Sequence, residues 1–472
     1  MAAADTRHAA LSAVPGGVSG TANGKQALAA IVLSAVGLRA GVAAAAWLAS
    51  GDPDVFHAPD TWSYVAPARE LLETGAYTRF GEPEVVRAPG YPLLLVPGLL
   101  LGRLEAVTLA LHLAIAALTV AGTFALALQV LGDRRAALAA AALHAVDPSS
   151  IAATSLLLTE TAFTTCVVWG AWFLARWARE GATRELLAGT ALLALAAYFR
   201  PLGYFLPFGV AGFALLRALW TRRWRALPQA AGAGVAAVAL VVPWQLRNAA
   251  EADYGGFSGV SAESLYFYDA GAILARREGL SLEEQQERMG WPGRERYFAA
   301  HPEQAGWTPG QRFRWMEAEA KRVIVGDPAG YAVTHLRGTA KLVLGTGGGE
   351  LQHLFRAPVP PGYLRDRMAR GETVAADLLH LPGAIYLAVV YLLVAAGLGR
   401  VHARRGAALL LLLGMCAYMV AVVGPAGGAR FRHPVMPMVC LAAGAGWVAV
   451  RARVPSRPRL FPPIRAAMPG RA

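Results

Sequence analysis

Cysteine is nearly absent from this chain. Cys166, Cys416 and Cys440 are its only three in 472 residues, and each lies inside an apolar run. No spacing suits a zinc site or a disulfide framework, so all three read as small buried hydrophobes. Charge is scarce too: 16% of residues are charged against 56% hydrophobic, with a mean hydropathy of +0.40. That balance excludes an ordinary soluble domain. Lysine occurs only at Lys25, Lys321 and Lys341, so arginine carries almost all of the positive charge. The net charge of +13 raises nucleic acid as a partner. The arginines sit in short clusters between apolar runs, as cytoplasmic loops do, and nucleic acid is set aside. The period-two alternation of a barrel strand is missing, and so is any fixed-period repeat.

What the chain does have is long continuous apolar runs. A spanning helix needs about 20 mostly apolar residues, and helices satisfy their own backbone groups in lipid. The predicted fold is an all-α polytopic membrane protein with about ten spans. They fall at 27–49, 105–131, 135–147, 150–177, 185–199, 202–219, 226–244, 379–399, 406–424 and 434–450. The short apolar stretch Tyr91–Leu101 is expected to lie in or dip into the interface.

The clusters Arg134-Arg135, Arg176/Arg179/Arg184, Arg217/Arg222/Arg223/Arg225, Arg400/Arg404/Arg405 and the tail from Arg451 fall on alternate connections. The positive-inside rule places them and both termini in the cytoplasm. The domains then read as a disordered cytoplasmic N-terminus at 1–24, an N-terminal transmembrane module at 25–244 carrying a first outer loop at 51–90, an extracytoplasmic region at 245–378, C-terminal transmembrane helices at 379–450 and a basic cytoplasmic tail at 451–472. A signal peptide fits poorly, because the first apolar stretch is too long and no clear cleavage site follows. Amphipathic helices are expected in the outer region, one opened by the capping box Ser281-Leu282-Glu283-Glu284 and one over 311–325. The protein is placed in the inner (plasma) membrane as a multi-pass chain surrounded by lipid.

With this topology the outward ends of the spans carry Asp60, Arg87, Asp147, Glu160, Arg200, Arg247, Arg430 and Arg432. An ionisable group at a helix centre costs about 2.5–3.5 kcal/mol on insertion scales. Such groups pair, face a cavity or meet a charged ligand. Carboxylates and guanidiniums gathered on one side suit a site that binds an anion and activates a hydroxyl.

Six segments, in order, resemble the GT-C membrane glycosyltransferases. They are Pro59-Asp60-Thr61-Trp62-Ser63-Tyr64; Arg87-Ala88-Pro89-Gly90-Tyr91-Pro92; Leu158-Thr159-Glu160-Thr161; Phe199-Arg200-Pro201; Pro243-Trp244-Gln245-Leu246-Arg247-Asn248; and Arg430-Phe431-Arg432-His433-Pro434. They are similar to the bacterial branch related to protein O-mannosyltransferases and lipid A aminoarabinose transferases (families 39 and 83). The resemblance covers roughly residues 27–450. Thr61 departs from it, because many relatives carry a second carboxylate there.

The resemblance implies a GT-C fold and an inverting transfer of a sugar from a polyprenyl-phosphate donor to a hydroxyl at the outer face. The acceptor is a glycan, lipid or protein. It maps the catalytic base onto Asp60. The leaving phosphate needs cationic forks, expected from Arg200, Arg247, Arg430 and Arg432. Glu160 is read as a second catalytic-site carboxylate, orienting the acceptor or Asp60 or holding a metal. Arg87, Tyr64, Tyr91 and Asn248 are expected to bind substrate. No histidine spacing fits a metal, so a divalent cation (Mg2+ or Mn2+) is left open as the one cofactor.

Each residue also has a plainer reading. Asp60 could cap the helix that follows it. Glu160 could serve only as an ion pair with Arg200, and Arg200 and Arg247 could snorkel. Arg39, mid-span, is expected to pair with a carboxylate in the bundle. The run Gly345–Gly349 reads as a flexible hinge. The competing function is a transporter or lipid flippase, which would show repeated halves and broken helices near the midplane.

Overall fold

The structure is a computed structural model that describes residues 19–357, 375–398 and 406–453. The expected N-terminal tail up to residue 18, the Arg400/Arg404/Arg405 cluster, part of the outer region at 358–374 and the tail beyond Arg453 lie outside the described residues.

The apolar runs form helices. In chain order these begin with α1 (Ser19–Ser50), α2 (Trp62–Thr74), α3 (Gly90–Leu100) and α4 (Leu104–Leu131). Next come α5 (Arg134–Ala145), α6 (Pro148–Ser155), α7 (Glu160–Glu180), α8 (Thr183–Phe199), α9 (Leu206–Trp220) and α10 (Leu227–Ala252). The outer region adds α11 (Val260–Glu263), α12 (Gly271–Glu278), α13 (Leu282–Arg288), α14 (Arg294–Ala300), α15 (Pro309–Gly326), α16 (Pro328–Leu344) and α17 (Gly348–Leu354). Three last rods, Leu381–Gly397, Gly406–Ala421 and Met436–Arg453, return to the bundle. Among the described residues the only sheet is a two-residue hairpin, Thr78–Arg79 against Glu82–Pro83.

The chain is an all-α polytopic membrane protein. By length and composition six helices can cross a bilayer, and the pair α5–α6, bent by 52°, makes a seventh. The expected count of ten is not reproduced by that criterion. The third expected span, 135–147, corresponds to α5, whereas the fourth is divided. A break at Val146–Asp147 ends α5, Pro148 opens α6, and the Asp147 carboxylate caps it by accepting from Ser149 N–H at 3.2 Å. Leu156–Thr159 is then non-helical, so the apolar run expected over 150–177 is two helices with a linker.

The rods pack along a continuous core that includes Leu126, Phe163, Val167, Leu174, Leu193, Leu411 and Leu441. Where α7 meets α8, a Cβ on Gly189 would lie 3.1 Å from the Gly170 carbonyl. Only glycine lets these backbones approach so closely, the small-residue packing common in lipid. Outward-facing Leu33, Leu48, Leu216, Trp220, Val235 and Leu392 are exposed, an apolar surface suited to acyl chains.

The outer region holds a core of its own, built from Tyr254, Tyr266, Phe267, Tyr297, Phe313 and Met316, into which Val85 and Val86 of the first loop insert. Such a core is not legible in the sequence, because aromatic residues spread over 254–316 show no single period. The capping box at Ser281 forms as expected, and a second joins Thr308 to Gln311.

Candidate active site

Asp60 stands in a turn that the chain fixes from both sides. The Thr61 hydroxyl, fully buried, accepts from Ala58 N–H at 2.9 Å and donates to the Leu157 carbonyl at 3.0 Å. Leu157 N–H in turn donates to Phe56 O at 2.9 Å. The first loop is thus tied to the linker that leads into Glu160. Thr61, the position that departs from the resemblance, is a structural bridge here. The Asp60 side chain does not cap α2, whose N-cap is Thr61 with no side-chain bond.

Both Asp60 oxygens face arginine instead. Oδ2 accepts from Arg430 at 2.7 Å, and Oδ1 lies 3.5 Å from an Arg87 nitrogen. Glu160, the first residue of α7, pairs with Arg200 at 2.5 Å and lies 4.0 Å from Arg430 Nε. Arg430 therefore bridges the two carboxylates. Arg87 also donates to the Tyr64 hydroxyl at 3.2 Å and stacks over that ring, while Arg200 and Arg430 both lie over Phe431. Five residues expected at one site, from five distant stretches, are in one cluster. Glu160 is 2% exposed, whereas Asp60 and Arg430 are 29% and 31% exposed. The first is sealed in, and the other two are open to a ligand.

The cluster lies at one end of the bundle. α7 starts in it and ends at the Arg176/Arg179 turn; α8 runs back from there to Arg200. The arginine-rich turns are therefore at the opposite end. Burial would push the Asp60 carboxyl up, but Arg430 and Arg87 outweigh it and hold its pKa below the usual carboxylate value.

Four expected ligand contacts are placed elsewhere. Arg247 donates to the carbonyls of Glu84 at 2.7 Å and Tyr77 at 2.8 Å, and packs between the Tyr77 and Trp244 rings. It staples the first loop to the end of α10. Arg432 turns inward from Arg430 and donates to Leu342 O, Val343 O and Gly345 O at 2.7–3.1 Å. These are carbonyls left open at the end of α16. Asn248 is fully buried on Gly256 O and Phe257 O, and Tyr91 is fully buried against His112 Nε2. Each of the four satisfies a backbone or buried polar group, while Arg432 Nε is buried without a partner. Arg247→Ala is expected to lower stability by about 1–3 kcal/mol while leaving donor affinity unchanged, read by thermal unfolding in detergent beside a donor-binding assay.

Arg39 is buried as expected, yet its donors go to Ala35 O, Ala145 O and Ser150 Oγ and not to a carboxylate. The bend after α5 leaves the Ala145 carbonyl free to accept. His433, 2% exposed, packs its ring 6.4 Å from His144.

The run Gly345–Gly349 is not an open hinge. A Cβ on Gly345 would sit 3.2 Å from Ala429 Cβ, and one on Gly347 (φ +74°) 3.0 Å from Ser149. The loop is wedged between the start of α6 and the turn that carries Arg430. Immediately after it stands Glu350, half-buried within electrostatic reach of Arg430, Glu160 and Arg432. Glu263 and Tyr268, just before and within a π-helical turn over Ser264–Ala270, lie within electrostatic reach of Asp60 and Arg87. Neither glutamate stands out in the sequence, because acidic residues in a long outer loop read as solvated.

No group of three His, Cys, Asp or Glu residues that could hold a metal occurs among the described residues. The two candidate ligands, Asp60 and Glu160, each face guanidinium nitrogens. This donor set does not fit Mg2+ or Mn2+, which want several free oxygens. A cavity of about 570 Å3 lies nearby, lined by Asp54, Gly349, Gln352, His353 and Arg356, and does not include the cluster.

Residues 87–246, about a third of the chain, match the family of dolichyl-phosphate-mannose-protein mannosyltransferases. The matched stretch contains Arg87, Glu160 and Arg200 and relates the chain to the GT-C membrane glycosyltransferases. No curated protein sequence matches. Among solved structures the chain is similar to the archaeal oligosaccharyltransferase AglB from Archaeoglobus fulgidus, in complex with an inhibitory peptide and a dolichol-phosphate. The identity is 15% and the TM-score 0.47, covering 94% of this chain and 53% of that one. ArnT from Cupriavidus metallidurans bound to undecaprenyl phosphate overlaps at 16% identity and TM-score 0.38, over 88% and 77%. The chain spans about half the length of the archaeal protein. At these TM-scores the overlaps are a likeness and nothing more.

Proposed function

We propose that this protein is an inverting glycosyltransferase that moves a sugar from a polyprenyl-phosphate donor to an acceptor hydroxyl on a glycan, lipid or protein. The reaction takes place at the membrane face opposite the arginine-rich turns, the periplasmic or outer side. The observation that carries this reading is the open Asp60–Arg430 pair, backed by Arg87 and by the buried Glu160–Arg200 pair. The family match over residues 87–246 supports a lipid-phosphate donor.

In this mechanism the donor phosphate competes with Asp60 for Arg430, with Arg87 and Arg200 alongside. The acceptor hydroxyl gives its proton to Asp60. Its oxygen forms a bond to the anomeric carbon as the bond from that carbon to the phosphate oxygen breaks, with the electron pair left on the phosphate. Attack from the face opposite the leaving group inverts the configuration. As the phosphate takes over Arg430, Asp60 loses its strongest cationic partner and becomes a better base. The polyprenyl tail lies against the apolar flanks of the helices.

A pH dependence follows. A base works deprotonated, so activity falls as pH drops through its pKa. In the free protein that limb, seen in kcat/KM, is expected below the ordinary Asp value of about 3.9. In kcat it is expected at higher pH, because the bound phosphate has displaced Arg430. Coincident limbs would contradict the exchange of partners.

The direct test uses purified protein in proteoliposomes with a radiolabelled polyprenyl-phosphate hexose and candidate acceptors. Release of polyprenyl phosphate with label on the acceptor is the expected result. Movement of intact donor across the bilayer with no cleavage would instead favour a flippase. Transfer is also expected to persist in excess EDTA. Loss that Mg2+ or Mn2+ restores would put a cation in the site.

A further inference from the structure

Behind Asp60 runs a line of side chains that the transfer chemistry does not use. Arg87 faces the Asp60 carboxylate at 3.5 Å. Its guanidinium donates to the Tyr64 hydroxyl at 3.2 Å and lies over that ring, 4.6 Å from its centroid. Its Nε is buried with no partner, so among the described residues the guanidinium bonds only Tyr64 and Asp60. The Tyr64 ring packs edge-to-face with Tyr91, with centroids 5.2 Å apart and planes at 79°. Tyr91 is fully buried, and its hydroxyl lies 3.2 Å from His112 Nε2. His112 is fully buried in α4, with Nδ1 3.1 Å from the Thr154 carbonyl.

The bonding sets the direction of this line. A carbonyl oxygen only accepts, so His112 Nδ1 carries the proton and Nε2 accepts from the Tyr91 hydroxyl. An imidazole so bonded is neutral, and its ring cannot turn without losing both partners. A buried histidine in a spanning helix is costly, and packing alone would be met by leucine. Thr154 stands in the last turn of α6, where carbonyls lack partners within the helix. Three residues on, the Leu157 carbonyl accepts from the Thr61 hydroxyl beside Asp60. The stretch Thr154–Leu157 is thus bonded to the turn of Asp60 at one end and to His112 at the other. Tyr91 follows Gly90, where a Cβ would stand 2.7 Å from the Tyr198 carbonyl, so the backbone between Arg87 and Tyr91 is packed close.

We propose that His112 and Tyr91 are positioning residues for the transfer, which act through the Tyr64 ring to hold Arg87 against Asp60. This rests on the proposed function, in which Asp60 is the base, and gives that reaction two residues that touch no substrate. Their effect is largest once the donor is bound. The phosphate then occupies Arg430, and Arg87 is left to keep the Asp60 carboxylate ionised and aimed until the acceptor arrives. The charged and titratable groups that face Asp60 are Arg430, Arg87 and Arg200, with Glu263 and Tyr268 from the outer region. Tyr91 and His112 reach it only through Arg87.

The test reads Asp60 itself and needs no acceptor. Infrared difference spectra of the full-length protein in detergent, taken against Asp60→Asn, follow the Asp60 carboxyl stretch as pH is lowered. They are recorded for the free protein and with a polyprenyl methyl phosphodiester bound. Losing a cation raises a carboxyl pKa, so a displaced Arg87 moves the titration to higher pH. Tyr64→Leu, Tyr91→Phe and His112→Leu are each expected to move it up, by as much as about one pH unit, or tenfold in proton affinity. His112→Gln offers a side-chain carbonyl in place of Nε2 as acceptor for Tyr91, and is expected to titrate as the wild type does. Tyr91→Phe keeps the ring and loses only the hydroxyl, so it is expected to fold even if His112→Leu does not. An Asp60 titration unmoved in folded Tyr64→Leu and Tyr91→Phe overturns the inference and leaves the proposed function standing. A His112→Gln shift as large as that of His112→Leu also overturns it, because packing would then be the cause. Absence of sugar transfer in the wild type would instead overturn the proposed function, however Asp60 titrates.

Discussion

Asp60→Asn is expected to reduce transfer by about 10²–10⁴-fold, the usual contribution of a positioned base, while the protein inserts and folds normally. The substitution is nearly isosteric, and the turn is held by the Thr61 hydroxyl and the Asp60 backbone carbonyl, which an Asn keeps. What it removes is the proton acceptor and the negative charge beneath Arg430. Donor binding should therefore tighten or stay unchanged while kcat falls. That split between kcat and KM separates loss of the base from collapse of the pocket. Full activity in a well-folded Asn variant would take Asp60 out of the mechanism.

The second large effect belongs to Glu160. Its side chain is 2% exposed and sits 2.5 Å from Arg200, which is 11% exposed. Glu160→Ala leaves a guanidinium buried at the end of α8 without its partner. Breaking a buried pair from one side costs about 3–5 kcal/mol, because the remaining charge is uncompensated. The variant is expected to unfold earlier in detergent and to lose activity through misplaced arginines. The double variant Glu160→Ala with Arg200→Ala removes both charges and should recover part of that stability. If the single change costs under about 1 kcal/mol, the pair is solvated and its burial has been misread.

The convergence of five charged residues was legible in the chain, and the reason is electrostatic. Asp60, Arg87, Glu160, Arg200 and Arg430 are charges at the ends of apolar runs, where lipid makes an idle charge expensive, and all five converge. Arg247 and Arg432 stand apart from the cluster, because that reasoning counts a charge without asking what else can satisfy it, and backbone carbonyls at the first loop and the end of α16 accept from them here. Asn248 and Tyr91 are likewise polar groups buried against their neighbours. The capping box at Ser281 and the outer helix over 311–325 were legible because their signals are local.

The helices around Asp147–Thr159 were not. There a run of apolar and small residues is continuous in composition, and the break depends on Pro148, the Asp147 cap and the Thr61–Leu157 bridge from a hundred residues away. Glu160 falls inside the apolar run expected over 150–177, and in the structure it begins a helix. Glu350 was hidden by a glycine run whose role is close packing, visible only once Ala429 and Ser149 are beside it.

A density map of the protein with a non-hydrolysable polyprenyl-phosphate sugar bound would be the most direct single measurement. The phosphate is expected within hydrogen-bond distance of Arg430, with the anomeric carbon between it and the Asp60 carboxylate and the sugar on the open side. A lipid phosphate seated among the arginines at the other end of the bundle, or in the cavity by His353 and Arg356 with the Asp60–Arg430 pair undisturbed, would contradict it.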